Sequence, residues 1–227
     1  MLYLKHCIEY NVLNTVFLMK GWRTLASRVE AFDGLIEEYA KQEFLEKGFS
    51  DASLRTIAKN AGVSTSTIYT RYLDKEGLFR FLVEPASSAM ISYVKSSLEG
   101  FESLPDQVQV EHRQDISDQG FTVLVDMIYE NFDQFKLLVT CAPTNFYHEF
   151  LEQIVALDIQ CMHKFLTAAH CRAYADGEIT DGFLHVVSSA FYSGIFEVVI
   201  HDMPRKEAEN YISQLRKFYN SGWNDYF

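Results

Sequence analysis

Residues 53–78 read SLRTIAKNAGVSTSTIYTRYLDKEGL, and this stretch decides the fold. Leu54, Ile57, Ala58 and Ala61 recur at helical spacing and make one apolar stripe. Gly62 follows, where a helix C-terminus needs a residue free to take positive φ. Val63 plugs the angle between two helices, and Ser64 stands at the N-cap of the second, its hydroxyl placed to bind orphan N–H groups. Ile68 and Tyr72 supply the buried side of that second helix. Helix, glycine turn and capped helix form a helix-turn-helix, the arrangement that lays a second helix in the major groove of DNA.

The outward face of the second helix carries Thr65, Ser66, Thr67, Tyr69, Thr70 and Arg71. Short hydroxyl side chains let a helix approach phosphates and base edges closely. Arg71 has the reach for a phosphate or for the O6/N7 edge of guanine. Lys75, at the start of the next helix, is placed for a backbone phosphate. Arg55 and Ser64 complete the candidate contact set. The plain alternative is a short solvated helix in a globular protein, and the joint pattern speaks against it.

Further spaced positions agree with one family. Ala40, Phe44, Gly48 and Phe49 precede Ile57-Ala58, Ala61-Gly62-Val63-Ser64, Thr67-Ile68-Tyr69, Tyr72 and Lys75-Glu76-Gly77-Leu78. Together they resemble the DNA-binding domain of TetR-type (TetR/AcrR) transcriptional regulators, over residues 29–80. Arg71 departs from a frequent His, and Leu73-Asp74 departs from the usual Lys, Pro or Gly followed by Ser or Asn. Both departures bear on DNA sequence preference. No strand-like alternation stands out and long segments of 3.6-residue period dominate, so the chain reads as all-α, with about nine helices, in keeping with the resemblance. A three-helix N-terminal domain would precede a larger helical domain, 81–227, for ligand binding and dimerisation. The resemblance further implies a homodimeric repressor on a palindromic operator in double-stranded DNA, released by a small-molecule effector, with no cofactor.

Composition fits a packed helical chain. Of 227 residues 48% are apolar and 15% aromatic, and only four are proline. The net charge of −11 looks wrong for a DNA binder until it is divided. Residues 53–80 hold five basic and two acidic side chains, a local +3. Residues 85–227 hold nine basic and twenty acidic, a local −11. The basic patch governs DNA contact, and the acidity belongs to the other domain.

Residues 1–28 form an extension with three competing readings: a start placed upstream of a true start at Met19, an arm packed on the body, or a basic arm reaching DNA through Lys5, Lys20, Arg23 and Arg28. Their apolar runs are too short to span a bilayer, so no membrane partner is expected. Downstream, helices are expected over 29–47 (closed by Gly48), 54–61, 65–72 and 74–98. Pro85 predicts a kink or break near 81–85, because proline removes a hydrogen bond and crowds the carbonyl four residues back. A polar loop with a short helix is expected over 100–114, then helices over 116–132, 135–139, 146–172, 180–201 and 205–219.

The larger domain has two candidate surfaces. A mostly apolar ligand pocket draws on Met90, Tyr93, Met127, Tyr147, Cys161, Met162, Phe165, Phe191 and Tyr192. Plain core packing competes for each of them. The domain's acidity favours a neutral or cationic apolar ligand. In the resembled family the last two helices pair with those of a second copy. Here that face would comprise Phe183, Val187, Ala190, Phe191, Gly194, Ile195, Val198, Ile212, Leu215, Phe218 and Tyr219, about half of which must serve the chain's own core.

Cys7, Cys141, Cys161 and Cys171 form no CxxC, as expected in a reducing cytoplasm, with the nucleoid as the DNA-bound location. Cys161 with His163, and His170 with Cys171, leave a metal or thiol sensor open beside the commoner buried free cysteine. No nucleophile elbow, phosphate-binding glycine loop or HExxH motif supports catalysis. Two other readings stand beside the repressor: a DNA-binding regulator whose larger domain recruits a protein partner, and a helical enzyme or transport accessory with a coincidental helix-turn-helix. A cavity in the larger domain would favour the repressor over the first, and an exposed basic helix would speak against the second.

Overall fold

The computed structural model describes residues 33–143, 145–224 and 226, so the readings of residues 1–28 lie outside it. Among the described residues the chain is helical with no strand. The described part of the head opens in helix α1, described over 33–51, whose Ile36, Ala40 and Phe44 follow one another at four-residue spacing and are fully buried. This helix runs one turn beyond its expected stop. Gly48 takes φ +73° within it, and the Ala52 N–H donates to the Gly48 carbonyl at 3.2 Å.

Helix α2 (Leu54–Asn60) starts at Ser53, whose hydroxyl accepts from the Thr56 N–H, and buries Ile57 and Ala58 against the α1 stripe. The chain turns at Gly62 with φ +67°, and Val63 packs partly buried beneath the turn. Helix α3 (Thr65–Tyr72) is capped by Ser64, which accepts from the Thr67 N–H at 3.2 Å. Such a cap contributes about 1 kcal/mol.

At the far end of α3, Leu73 occupies a tight turn at φ +69°, with the Asp74 N–H donating back to the Tyr72 carbonyl. Asp74 then caps α4 (Lys75–Glu102) by accepting from the Gly77 N–H at 2.7 Å. A Cβ on Gly77 would lie 1.9 Å from the Tyr72 carbonyl oxygen, so only glycine permits this approach of α4 to the end of α3.

At 28 residues, α4 is about 42 Å long. Of the kink or break expected near 81–85, the break does not occur: the helix runs on through Pro85. Pro85 and Phe81 are both exposed, so the carbonyl that loses its N–H partner lies on the solvent side. On the buried side the Ser87 hydroxyl donates to the Val83 and Glu84 carbonyls. The expected loop with a short helix over 100–114 is likewise corrected: α4 continues to Glu102 and, after three intervening residues, α5 (Asp106–Glu130) begins. The first turns of α5 are mostly exposed and so show no apolar stripe. Their buried residue is Gln109, whose amide donates to the Glu102 and Leu104 carbonyls and ties the two helices end to end.

The body continues through α6 (Phe132–Lys136), which passes into a π-helical turn, Leu137–Cys141. Helix α7 (Phe146–Ala168) follows and stops short of 172, where His170 takes φ +49°. Then come α8 (Arg172–Ala175), α9 (Asp181–Ile200) and α10 (Arg205–Asn224). Helix α7 lies at the centre, against α4, α5 and α9. By length and composition α9 could cross a membrane, yet Leu184, Tyr192, Ile195, Phe196 and Val199 on it are buried in this chain's own core.

Head and body share a joint. The buried Phe79 ring of α4 meets Phe44 and Phe49 of the head edge-on at 5.2 and 5.6 Å, and Phe146 of α7 at 5.8 Å. The Arg80 guanidinium lies over Phe146 at 4.0 Å, and Lys41 of α1 pairs with Asp133 of α6 at 2.8 Å.

Candidate nucleic-acid interface and effector cavity

The outward surface of α3 is small and polar. Ser64, Ser66, Tyr69 and Thr70 are exposed, with Tyr69 at 52%, while Thr65 and Thr67 are half-buried. The Ser64 and Thr67 hydroxyls bond each other at 3.0 Å, and the Thr70 hydroxyl donates to the Ser66 carbonyl. Both bonds hold the side chains close to the helix and leave little bulk between its axis and a facing groove.

The cations nearby fall into two groups. Arg71 is ion-paired with Asp33 of α1, and the Lys75 ammonium donates to the Ser50 and Ala52 carbonyls at 2.9 and 3.1 Å while lying over the Phe49 ring. Both therefore clamp α3 and α4 to the end and face of α1. Arg55 and Lys59 on α2 are exposed and form no ion pair among the described residues. Leu73, at the lip of this surface, is 80% exposed in a conformation that costs a non-glycine residue about 1–3 kcal/mol.

Within the body lies a cavity of about 220 Å³, bounded by the distal half of α4, by α5, α7, α9 and α10. Six of the nine expected pocket residues line it: Tyr93, Cys161, Met162, Phe165, Phe191 and Tyr192. The other three do not. Met90 is buried at a separate small void, Tyr147 packs on Phe196, and Met127 packs against the main core.

The sequence reading passed over the cavity's charged groups. Asp158 on α7 accepts from the Ser188 hydroxyl at 2.6 Å and from the Tyr192 hydroxyl at 3.3 Å. Burial raises its pKa, while these two hydroxyls oppose the rise. Arg113 lies over Phe165 at 5.5 Å and Arg216 over Phe121 at 4.8 Å, and burial lowers the pKa of both. A signal was available. Ile154, Asp158, Cys161 and Phe165 share one helical face, as do Ile212, Arg216, Tyr219 and Trp223. A charge in the middle of an apolar stripe marks a polar group turned inward.

Cys161 does not suit a thiol sensor. Burial first, then the Asp158 and Glu102 carboxylates, push its pKa up to about 12, so the thiol stays protonated. His163 Nδ1 sits 2.9 Å from the Tyr174 hydroxyl and its Nε2 3.5 Å from Asp181, which uses the ring to join α7, α8 and α9. Among the described residues no three metal-ligating side chains gather.

The expected pairing face divides three ways. Ile195, Val198 and Ile212 are 2, 0 and 3% exposed in the single chain, so they are core and unavailable to a second copy. Val187, Phe191 and Tyr219 line the cavity, and a Cβ on Gly194 would meet Leu215 of α10 at 3.1 Å, an approach within one chain. Phe183, Ala190 and Phe218 remain exposed, joined by Val186.

Residues 36–82 match the model of the bacterial regulatory proteins of the tetR family. Among curated proteins none matches the chain in sequence. In structure it is similar to a TetR-family transcriptional regulator from Mesorhizobium loti, at 19% identity and a TM-score of 0.51, covering 84% of this chain and 95% of that one. It is also similar to a transcriptional regulator of the TerR/AcrR family from Aquifex aeolicus, at 17% identity and a TM-score of 0.50, covering 82% and 99%. At these identities the likeness shows the fold.

Proposed function

We propose that this chain, whose head is the DNA-binding domain of a TetR-family regulator, is a ligand-responsive repressor acting as a homodimer on a palindromic operator. The observation that carries the reading is the double duty of α4. At its start Phe79 is packed into the head, and from Tyr93 to Phe101 the same helix walls the cavity. The fourteen residue steps from Phe79 to Tyr93 span about 21 Å of rigid helix. A ligand that shifts the distal half of α4 therefore moves the base of the head.

Repression follows from two conformations. Without ligand the dimer holds its two α3 helices one turn of DNA apart, which suits an inverted repeat. Ligand favours a state with α4 displaced, and the spacing no longer fits. A coupling of about 1–3 kcal/mol weakens operator binding about 5- to 150-fold. The exposed apolar residues Phe183, Val186, Ala190 and Phe218 on α9 and α10 are the surface through which two copies would meet. A body serving only to recruit a protein would need no such cavity. The working location is the cytoplasm, at the nucleoid when DNA-bound.

The test is fluorescence anisotropy on a duplex recovered by binding selection, titrated with small apolar compounds whose occupancy is followed by calorimetry. A compound that fills the cavity should weaken the complex at least about 5-fold. Saturation of the cavity with no change in DNA affinity for any compound would remove ligand response from the account.

A further inference from the structure

Resting on the ligand-sensing reading of the cavity, we infer that Asp158 anchors the ligand and that the ligand class is an amphipathic organic cation, an ammonium head on an apolar body. The Asp158 carboxyl sits on the cavity wall with two hydroxyl donors, Ser188 and Tyr192. A carboxylate offers about four acceptor positions, so two hydroxyl donors leave half of them open. Among the described residues both partners of the carboxylate are neutral hydroxyls. An ionised carboxylate taken from water without a countercharge is costly, and a ligand ammonium removes that cost by donating to the open positions.

Arg113, from α5, is laid over Phe165, and Arg216, from α10, over Phe121. Between them the wall is ring-lined: Phe191 meets Phe121 at 5.3 Å, Tyr192 at 5.4 Å and Tyr219 at 4.9 Å. Ring faces beside a carboxylate favour a cation and also take up alkyl surface. The body as a whole adds to this preference, since residues 85–227 carry a net −11, which concentrates cations and disfavours anions on approach.

Three probes with one tail isolate the head group: octylamine (an ammonium at pH 7), octanol and octanoate, each titrated into the full-length protein by calorimetry. Octylamine should bind at least about 10-fold more tightly than octanol, with octanoate weakest. Asp158→Asn, nearly isosteric, should bring octylamine down to about the octanol level. Octylamine binding no tighter than octanol in the wild type would overturn the assignment without any variant. Octanoate binding tightest would overturn it in favour of the arginines while leaving a ligand cavity in place. Failure of all three to bind would overturn both the anchor and the ligand-sensing reading.

Discussion

The head and the body handle polar groups in opposite ways. In the head the helix caps and the α3 hydroxyls sit at the surface and bond to near neighbours in the chain: Ser53 to Thr56, Ser64 to Thr67, Thr70 to Ser66, Asp74 to Gly77. In the body the telling ones face inward and bond across long separations. Asp158 meets Ser188 thirty residues on, and the Tyr129 hydroxyl donates to Met203 seventy-four residues on. A surface that reads a rigid, uniformly charged duplex needs a helix presented at a set angle, which local caps and one glycine turn supply. A cavity for a small molecule needs a few polar groups aimed at one point from several helices, and only the tertiary fold brings them together.

The largest effect is expected where the head is joined to α4. Gly77→Ala drives a Cβ into the Tyr72 carbonyl, a backbone atom that cannot swing aside. It should cost about 3 kcal/mol, read as a lower thermal midpoint and loss of DNA binding with the body still folded. A variant as stable as wild type would mean that α3 and α4 meet differently.

Next comes the double role of the α3 face. Arg71→Ala with Tyr69→Phe should lower DNA affinity about 10-fold and reduce the salt slope by about 1, while folding and dimerisation persist. The Asp33 pairing sharpens this test. If Arg71 serves only as a clamp on α1, Asp33→Asn will lose as much stability as Arg71→Ala, and the salt slope will not change. Wild-type affinity in the double variant would sink the recognition-face assignment. At the lip of the same face, Leu73→Gly should gain about 1 kcal/mol in urea unfolding, because glycine takes φ +69° without strain.

In the body the matching test is pH. Burial raises the Asp158 pKa above its ordinary value of 3.8. The folded state therefore binds the proton more tightly than the unfolded state, and stability falls as pH rises through that window. Ser188 and Tyr192 on α9 and Cys161 on its own helix adjoin Asp158, Arg113 and Arg216 line the same cavity, and the Glu102–Lys164 pair acts on Cys161. Asp158→Asn removes the titration. Its stability advantage over wild type should shrink as the pH is lowered from 7 toward 3.8, and urea midpoints across that range would check it. An advantage that grows on acidification would mean that the fold stabilises the carboxylate.

The smallest effect separates core from interface. Gly194→Ala puts a methyl 3.1 Å from the flexible end of Leu215, so it should cost only about 0.5 kcal/mol and leave the dimer dissociation constant unchanged. A weakened dimer would place Gly194 between two copies after all.

What could be read from residues alone follows the same division. The head was legible because its signals are local: Gly62 at positive φ, Ser64 as a cap and the stripe ending at Ala61 each act within four residues. Where signals were non-local the reading slipped. The first turns of α5 show no stripe because they are mostly exposed, and their buried member is Gln109. Pro85 suggested a kink or break, and the helix does not break there because its exposed side tolerates the lost hydrogen bond. Ile195, Val198 and Ile212 read as partner-facing because apolar periodicity does not say which neighbour covers a stripe. Asp158 and Arg216 were visible as charges inside stripes, but their convergence on one cavity needs the packing of α5, α7, α9 and α10.

The central claim is that two α3 helices read DNA together. Selection of bound sequences from a random-duplex library by the full-length protein tests it most directly. The account predicts enrichment of an inverted repeat whose half-sites lie about one helical turn apart, lost in the Arg71→Ala, Tyr69→Phe variant. Recovery of unenriched sequence, or of a single half-site with no repeat, would contradict it.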